Sequence, residues 1–313
     1  MNCLVLGGNG FIGSHLVDRL FAEDHRVRVF DKYKEQFRRP LGGVEYSYGD
    51  FGNRGLLSNA LKDIDLVFHL ISTTLPETSN DDPAFDISSN VVETIFLLEQ
   101  CVTNKIKKIV FISSGGTVYG MPEILPINED CTTDPLCSYG IAKLTNEKYL
   151  SLFNHLYGLN YAVIRPSNPY GSRQNPQAAQ GAISVFLGKA IRKETINIWG
   201  DGEIVRDYLF IDDLVDGIYK AAVSEPRSKI FNIGSGEGIS LNDILKAIRN
   251  VANLEVKVEY TDKRIFDVPK IILDISRAKD ELGWKPVTPL QTGLKMTYDF
   301  IAGLLKEKEV RNG

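Results

Sequence analysis

A chain of 313 residues with 43% hydrophobic and 24% charged side chains can bury a core of its own, which excludes a disordered or fibrous protein and one that depends on disulfide or metal staples. Its formal net charge of -4 provides no basic field for nucleic acid. Met1 leads straight into the apolar run Cys3 to Leu6 with no basic segment, and no apolar stretch reaches the roughly 20 residues of a membrane span, so a cytoplasmic location is expected. The cysteines Cys3, Cys101, Cys131 and Cys137 have no CxxC or zinc spacing and read as reduced thiols. His15, His25 and His155 offer no ligand spacing either, so no metal is expected.

In chain order, the candidate strands of the first half are Asn2 to Leu6, Arg26 to Phe30, Leu66 to Leu70, Lys108 to Ile112 and Tyr161 to Ile164. Between them, helices are expected at Gly13 to Ala22, Asn90 to Val102 and Tyr139 to Tyr157, where apolar residues recur at three- and four-residue spacing. Near-continuous apolar strands alternating with amphipathic helices predict a parallel sheet covered on both faces. After Arg165 the alternation weakens: Ala178 to Ile191 reads as a helix, Ile196 to Trp199 as a strand and Gly200-Asp201-Gly202 as a turn. Ile230 to Ile233 reads as a strand, Leu241 to Val251 as a helix, Val256 to Tyr260 as a strand, and Ser276 to Leu282 and Leu290 to Leu305 as helices. With no repeat or linker, the smaller C-terminal part is expected to pack directly on the first, leaving a cleft as the site.

The first strand runs into Gly7-Gly8-Asn9-Gly10-Phe11-Ile12-Gly13 and a helix opens at once. In that setting Gly7 permits a tight turn, Gly10 lets backbone approach a pyrophosphate and Gly13 lets helix and strand pack closely, while the helix N-terminus presents N–H groups to phosphates. The second strand ends at Asp31, eighteen residues past Gly13, where an acid would hold the adenosine ribose hydroxyls and repel a 2′-phosphate; Lys32 beside it weakens the preference. The fold class is therefore α/β, a Rossmann-type doubly wound sheet with a smaller mixed α/β C-terminal part, and NAD is the expected cofactor. Asp50-Phe51 either flanks an adenine ring or is a turn, and His69 at the end of its strand reads as structural.

Tyr139 and Lys143 stand four apart on one helix face. Upstream, the strand ending at Ile112 opens into Ser113-Ser114-Gly115-Gly116-Thr117-Val118-Tyr119-Gly120, a hydroxyl-bearing segment at the carboxyl edge of the sheet. A phenol ordinarily titrates near pH 10, so a tyrosine base at neutral pH needs cations beside it; Lys143 and an oxidised nicotinamide would both serve.

These residues resemble the extended short-chain dehydrogenase/reductases, specifically the NAD-dependent epimerase/dehydratase group and within it the UDP-glucose 4-epimerases, along essentially all 313 residues. The resemblance adds Asn90 ahead of its helix and a C-terminal set. Arg165-Pro166-Ser167-Asn168-Pro169-Tyr170-Gly171 resembles R-x-x-N-x-Y-G, and Gly200-Asp201-Gly202 with Arg206-Asp207-Tyr208 resembles G-D-G…R-D-[FY]. Arg264 with Asp267-Val268 resembles R-x-G-D-V, and Leu282-Gly283-Trp284-Lys285-Pro286 a structural L-G-W-x-P. It implies Tyr139, Lys143 and a hydroxyl of Thr117 or Ser114 at the reacting sugar. Cofactor contacts are implied from Gly7, Gly10, Phe11, Ile12, Gly13, Asp31, Lys32, Asp50, Phe51, Leu70, Asn90, Ser113, Tyr139 and Lys143. The nucleotide sugar would meet Thr117, Asn168, Arg206, Arg264 and Asp267, with arginine forks on the diphosphate.

The implied activity is reversible oxidation at sugar C4, interconverting UDP-glucose and UDP-galactose through a transient 4-ketone, by a homodimer joined through the helices Asn90 to Val102 and Tyr139 to Tyr157. The implied division gives residues 1–167 plus about 205–235 to NAD, and about 168–204 and 236–313 to the nucleotide sugar. The pattern is broken at Gly115, where a catalytic serine is usual, and at Thr74, where a lysine stands near the cofactor phosphates. Gly116 and Thr117 replace the acid pair of a dehydratase, and Thr117 the glutamate of a decarboxylase. Other epimerases or a reductase, acting on N-acetylhexosamine, hexuronate, CDP- or dTDP-sugars, remain alternatives, as does a non-catalytic NAD sensor. Ile271, near the sugar pocket, disfavours an N-acetyl group.

Overall fold

Alternation along β1, Asn2–Leu6, fixes the layering: Cys3 and Val5 face one side of the sheet, Leu4 and Leu6 the other, and all four are fully buried. The computed structural model describes residues 1–178, 180–262 and 268–312, the stretch 307–312 as backbone. After β1 come α1 (Phe11–Ala22), β2 (Arg26–Asp31), β3 (Glu45–Tyr48), α2 (Arg54–Ala60) and β4 (Leu66–His69). Next are α3 (Pro83–Asp86), a π-helical turn (Ile87–Val92), α4 (Glu93–Thr103), β5 (Lys108–Ile112), α5 (Ser138–Tyr157) and β6 (Tyr161–Pro166). The remainder runs β7 (Asn168–Tyr170), α6 (Ala182–Ile191), β8 (Ile196–Trp199), β9 (Val205–Arg206), β10 (Tyr208–Phe210), α7 (Ile211–Val223) and β11 (Ile230–Ile233). It closes with β12 (Ile239–Ser240), α8 (Leu241–Ala252), β13 (Val258–Thr261), β14 (Lys270–Ile271), α9 (Ser276–Leu282) and α10 (Leu290–Asn312).

Among the described residues, seven parallel strands form the central sheet in the order β3-β2-β1-β4-β5-β6-β11. The winding reverses between β1 and β4, and at such a switch point the strand ends leave a crevice. Helices α1 and α7 cover one face, and α2, α4 and α5 the other. The first of these cores continues without a break into α6, β8, α8 and α10 through Ile183, Leu187, Ile198, Ile244, Leu294 and Ile301, which is why the C-terminal part docks directly. Truncating a fully buried leucine of β1 to alanine removes roughly 2–5 kcal/mol. Fully buried Trp284 donates its indole N–H to the Asp213 carbonyl at 3.0 Å, and the Asp213 carboxylate accepts from the N–H groups of Val287 and Thr288, which gives the Leu282–Pro286 segment its structural role.

Several boundaries differ from the sequence reading. The helix expected from Asn90 begins at Glu93, because the π-helical turn takes Ile87–Val92. The one expected from Ala178 begins at Ala182, behind Gly181 at φ +94°. Leu70 lies one residue beyond β4, and the strand expected from Val256 spans Val258–Thr261. Strand β3 and helix α7 went unread: β3 is a polar edge, Glu-Tyr-Ser-Tyr, and α7 follows β10 with no loop between them. Among the described residues no helix is long and apolar enough to cross a membrane.

Candidate active site

The glycine turn is shaped by sterics. Gly7 sits at φ +82°, and a Cβ on Gly13 would lie 2.1 Å from the Gly7 carbonyl oxygen, so α1 presses against the end of β1 only because neither residue carries a side chain. The first intrahelical bond runs from Ser14 N–H to the Gly10 carbonyl at 2.9 Å, which leaves the N–H groups of Phe11, Ile12 and Gly13 at the open positive end of the helix. Asp31, 8% exposed, accepts from the backbone N–H groups of Asn9 and Tyr33, each at 2.9 Å, and burial raises its pKa above the ordinary carboxylate value. Lys32 is turned away into an ion pair with Asp50 at 3.1 Å. The Phe51 ring is buried against His69, centroids 5.1 Å apart, so toward an adenine this pair offers the Asp50 carboxylate and backbone rather than an aromatic face. Leu70 and Ile71 pass beside Gly7, with Leu70 N–H bonded to the Leu6 carbonyl.

Helix α5 carries the second half of the site. Lys143 donates to the Ile112 carbonyl at 2.9 Å, and its Nζ lies 5.4 Å from the Tyr139 ring centroid and 5.0 Å from that of Phe111. Burial pushes the Lys143 ammonium down to about 8, against the pull of Asp86 and Glu147. Burial raises the Tyr139 phenol above its ordinary value, and the negative potentials of Cys137 and Asp86 add to that. By itself, then, the protein holds Tyr139 as a neutral phenol. Thr117 faces the start of this helix: a Cβ on Gly140 would stand 3.1 Å from the Thr117 carbonyl oxygen and 3.3 Å from its Cβ, and the Thr117 hydroxyl is buried without a protein partner. Ser114 is half-buried, its carbonyl capping the turn by accepting from Val118 N–H at 3.2 Å. Ser113 is committed elsewhere, donating to Glu147 at 2.5 Å; that carboxylate also takes both arms of Arg165, at 3.0 and 2.6 Å. Gly115 has no room for a side chain, since a Cβ there would meet Leu273 Cδ1 at 2.6 Å and the Pro166 carbonyl oxygen at 2.9 Å.

Two buried carboxylates have roles that the sequence does not show, one of them inside the Arg206-Asp207-Tyr208 motif. Fully buried Asp86 accepts from Thr74 Oγ1 at 2.5 Å, Ser138 Oγ at 2.6 Å and Asn90 Nδ2 at 2.8 Å, which ties α3, the π-helical turn and the first residue of α5 into one knot. A tight pocket beside it is lined by Ser72, Asp86, Asn90, Tyr139, Lys143 and Asn146. The one signal was the spacing of Asp86 four residues before Asn90. The second feature is Asp207, also fully buried, which accepts from the N–H groups of Ser235, Gly236 and Leu273 and from the Ser235 hydroxyl, and so holds Arg206 in place on β9.

On the C-terminal side, Asn168 donates its side-chain amide to the Asp207 carbonyl at 3.0 Å, and half-buried Arg206 donates to the Val205 carbonyl at 2.9 Å. Arg264 and Asp267 lie outside the described residues. Ile271 is buried among Val118, Tyr119, Ile127 and Leu273, so its bulk packs β14 onto the 113–120 segment instead of shaping a sugar pocket. His69 is enclosed by Phe51, Phe111 and Thr94, a structural setting in which burial pushes it down to about 3.

The glycine turn, Asp31, Leu70, the 113–120 segment, Tyr139 and Lys143 thus gather along the carboxyl ends of β1, β2, β4 and β5, around the switch point. Residues 3–234 match the sequence profile of the NAD dependent epimerase/dehydratase family. The chain belongs to that family. As a member it is an NAD-dependent enzyme, and its residues fit the cofactor: a side-chain-free cradle at Gly7 and Gly13, open N–H groups on α1, and a buried carboxylate at Asp31. The UDP-glucose 4-epimerase of Mycolicibacterium smegmatis is 35% identical over 309 residues, covering 96% of this chain and 98% of that protein. The chain is also similar to the UDP-glucose 4-epimerase of Thermotoga maritima crystallised with UDP-glucose, with a TM-score of 0.93 at 35% identity, covering 97% of this chain and 100% of that one. Against the Thermus thermophilus UDP-glucose 4-epimerase in complex with NAD the TM-score is 0.91 at 29% identity, covering 97% and 99%.

Proposed function

We propose that this family member is a nucleotide-sugar 4-epimerase that interconverts UDP-glucose and UDP-galactose. The observation that carries the reading is the buried, unpartnered Thr117 hydroxyl facing the Tyr139–Lys143 helix, in a segment where Gly116 and Thr117 supply no acid pair for dehydration. The glycine turn, Asp31, Leu70 and Asn90 hold NAD, which when bound supplies the hydride acceptor and donor for sugar C4. Tyr139 takes the proton of the sugar 4-hydroxyl and returns it after the sugar has presented its other face. Thr117 passes that proton between sugar and phenol, and Lys143 stabilises the phenolate. Arg206 and Arg264 grip the diphosphate, with Asn168 and Asp267 meeting the nucleotide sugar, and leave the sugar end free to turn over.

The same proposal divides the chain into an NAD-binding part, 1–167 with about 205–235, and a nucleotide-sugar part. It has the enzyme act as a homodimer through α4 and α5; the exposed apolar side chains of Ile141, Leu152 and Leu156 on α5 support that. Four free cysteines, two of them buried, support a cytoplasmic setting.

The test is an NMR-monitored incubation with UDP-galactose and NAD. UDP-glucose should accumulate without net NADH, and a Tyr139→Phe variant should bind NAD yet turn over nothing. Failure to convert UDP-galactose, with conversion of an N-acetylated, uronic or non-UDP sugar instead, would sink the UDP-glucose assignment and keep the reaction class.

A further inference from the structure

We propose that Asp86 is a positioning residue for the reaction centre: its carboxylate, anchored by Thr74, Asn90 and Ser138, places a negative charge in the pocket it shares with Lys143 and fixes the first turn of α5. The inference rests on the epimerase reading for its catalytic meaning, and on geometry for the rest. Asp86 is 0% exposed and lines the same tight pocket as Tyr139 and Lys143. Its three described hydrogen-bond partners are neutral, two hydroxyls and an amide, so its charge is not cancelled at contact. A buried carboxylate with only neutral donors is costly to keep, which argues for a use beyond packing.

Two connections carry that use. Through Ser138, whose hydroxyl donates to Asp86 and whose N–H donates to Asn80 at 2.9 Å, the carboxylate grips the residue directly before Tyr139. Through space it acts on Lys143, where it is the foremost influence opposing the effect of burial, ahead of Glu147. Glu147 cannot take over, because Arg165 and Ser113 already satisfy it. The other charged groups nearby are accounted for. His69 of β4 is held neutral by burial, Glu93 of α4 pairs with Arg54 of α2, Asp82 caps α3, and Cys137 beside α5 is pushed up by burial. Thr74, the position at which the sequence departs from the pattern's lysine, is the residue that donates to Asp86 at 2.5 Å. This chain therefore carries a neutral donor where a second cation would have competed with Lys143 for the carboxylate.

The experiment is an NMR titration of full-length protein carrying [ε-13C]lysine, with Lys143 assigned by a Lys143→Met control. The midpoint is read without sugar, so that part of the result stands whichever substrate is turned over. In Asp86→Asn the Lys143 midpoint should fall by about one pH unit, with kcat reduced and KM for the nucleotide sugar unchanged. An unchanged midpoint in folded Asp86→Asn overturns the proposal, since loss of packing alone does not move it. If Asp86→Asn fails to fold, the exchange Thr74→Asp with Asp86→Thr returns a carboxylate to the same bonded pair. The midpoint should then match that of the unaltered chain, and a fall would overturn the proposal.

Discussion

The Lys143 ammonium donates to the Ile112 carbonyl at 2.9 Å, which joins the second turn of α5 to the last residue of the central strand β5. The bond sets the height of Tyr139, one turn earlier, above the carboxyl edge of the sheet. Lys143→Met removes both the anchor and the charge, and should lower kcat by about 10²–10⁴-fold, the range expected when proton transfer loses its support. Because burial holds the ammonium down to about 8, kcat/KM of the unaltered enzyme should decline as pH rises past that value, since the group then loses its proton. A flat profile to about pH 10, where the phenol itself ordinarily titrates, would refute this role.

At Thr117 the hydroxyl is the feature to delete. Thr117→Val should cost turnover about 10²-fold with little change in melting temperature, whereas Thr117→Ser should keep most activity. The neighbouring Gly115→Ser should behave in the opposite way. With Leu273 at 2.6 Å and the Pro166 carbonyl at 2.9 Å from the new Cβ, it should lower the melting temperature and add no rate.

Gly13→Ala tests the cofactor cradle. A methyl 2.1 Å from the Gly7 carbonyl oxygen must push α1 off β1. NAD affinity measured by calorimetry should drop at least tenfold, while Gly303→Ala, where a Cβ meets open space, should leave it unchanged.

His69 makes a prediction about acid. Burial pushes it down to about 3 in the folded chain, against an ordinary value of 6.5, so between those pH values the unfolded chain takes up a proton that the folded one refuses. Its contribution is fully present above pH 6.5 and is lost as pH falls toward 3. Over the first two pH units below the ordinary value the loss comes to roughly 2–3 kcal/mol. Chemical denaturation of His69→Gln, which keeps a polar group for Thr94, should show a correspondingly shallower dependence on acid. Equal slopes would contradict it.

What the sequence disclosed was the part of the site written in consecutive residues. The glycine turn, Asp31 and the Tyr139–Lys143 pair each need only a strand or helix to bring their groups together, so spacing reveals them. Spacing could not show that Ser113 donates to Glu147, because that partner lies 34 residues away on another element. Asp86, and the bonding role of Asp207 within its motif, are hidden for the same reason: a carboxylate that gathers hydroxyls and N–H groups from separate segments looks like any surface acid in a linear text. Phe51 and Ile271 show the converse, since both sit beside motif residues yet turn into apolar clusters, and orientation is a property of packing. Strand β3 was lost because an edge exposed to water has no need of an apolar run.

The sheet is finished out of order, and that has a consequence for biosynthesis. Every residue of β6 is buried, and the strand that covers its outer edge, β11, is made 64 residues after it. A nascent chain that has emerged only as far as β10 therefore presents β6 as an unpaired apolar edge, the kind that recruits other chains. Truncations ending between β6 and β11 should collect in inclusion bodies, and chaperone demand during synthesis should peak across that interval and end once Ile233 has left the ribosome.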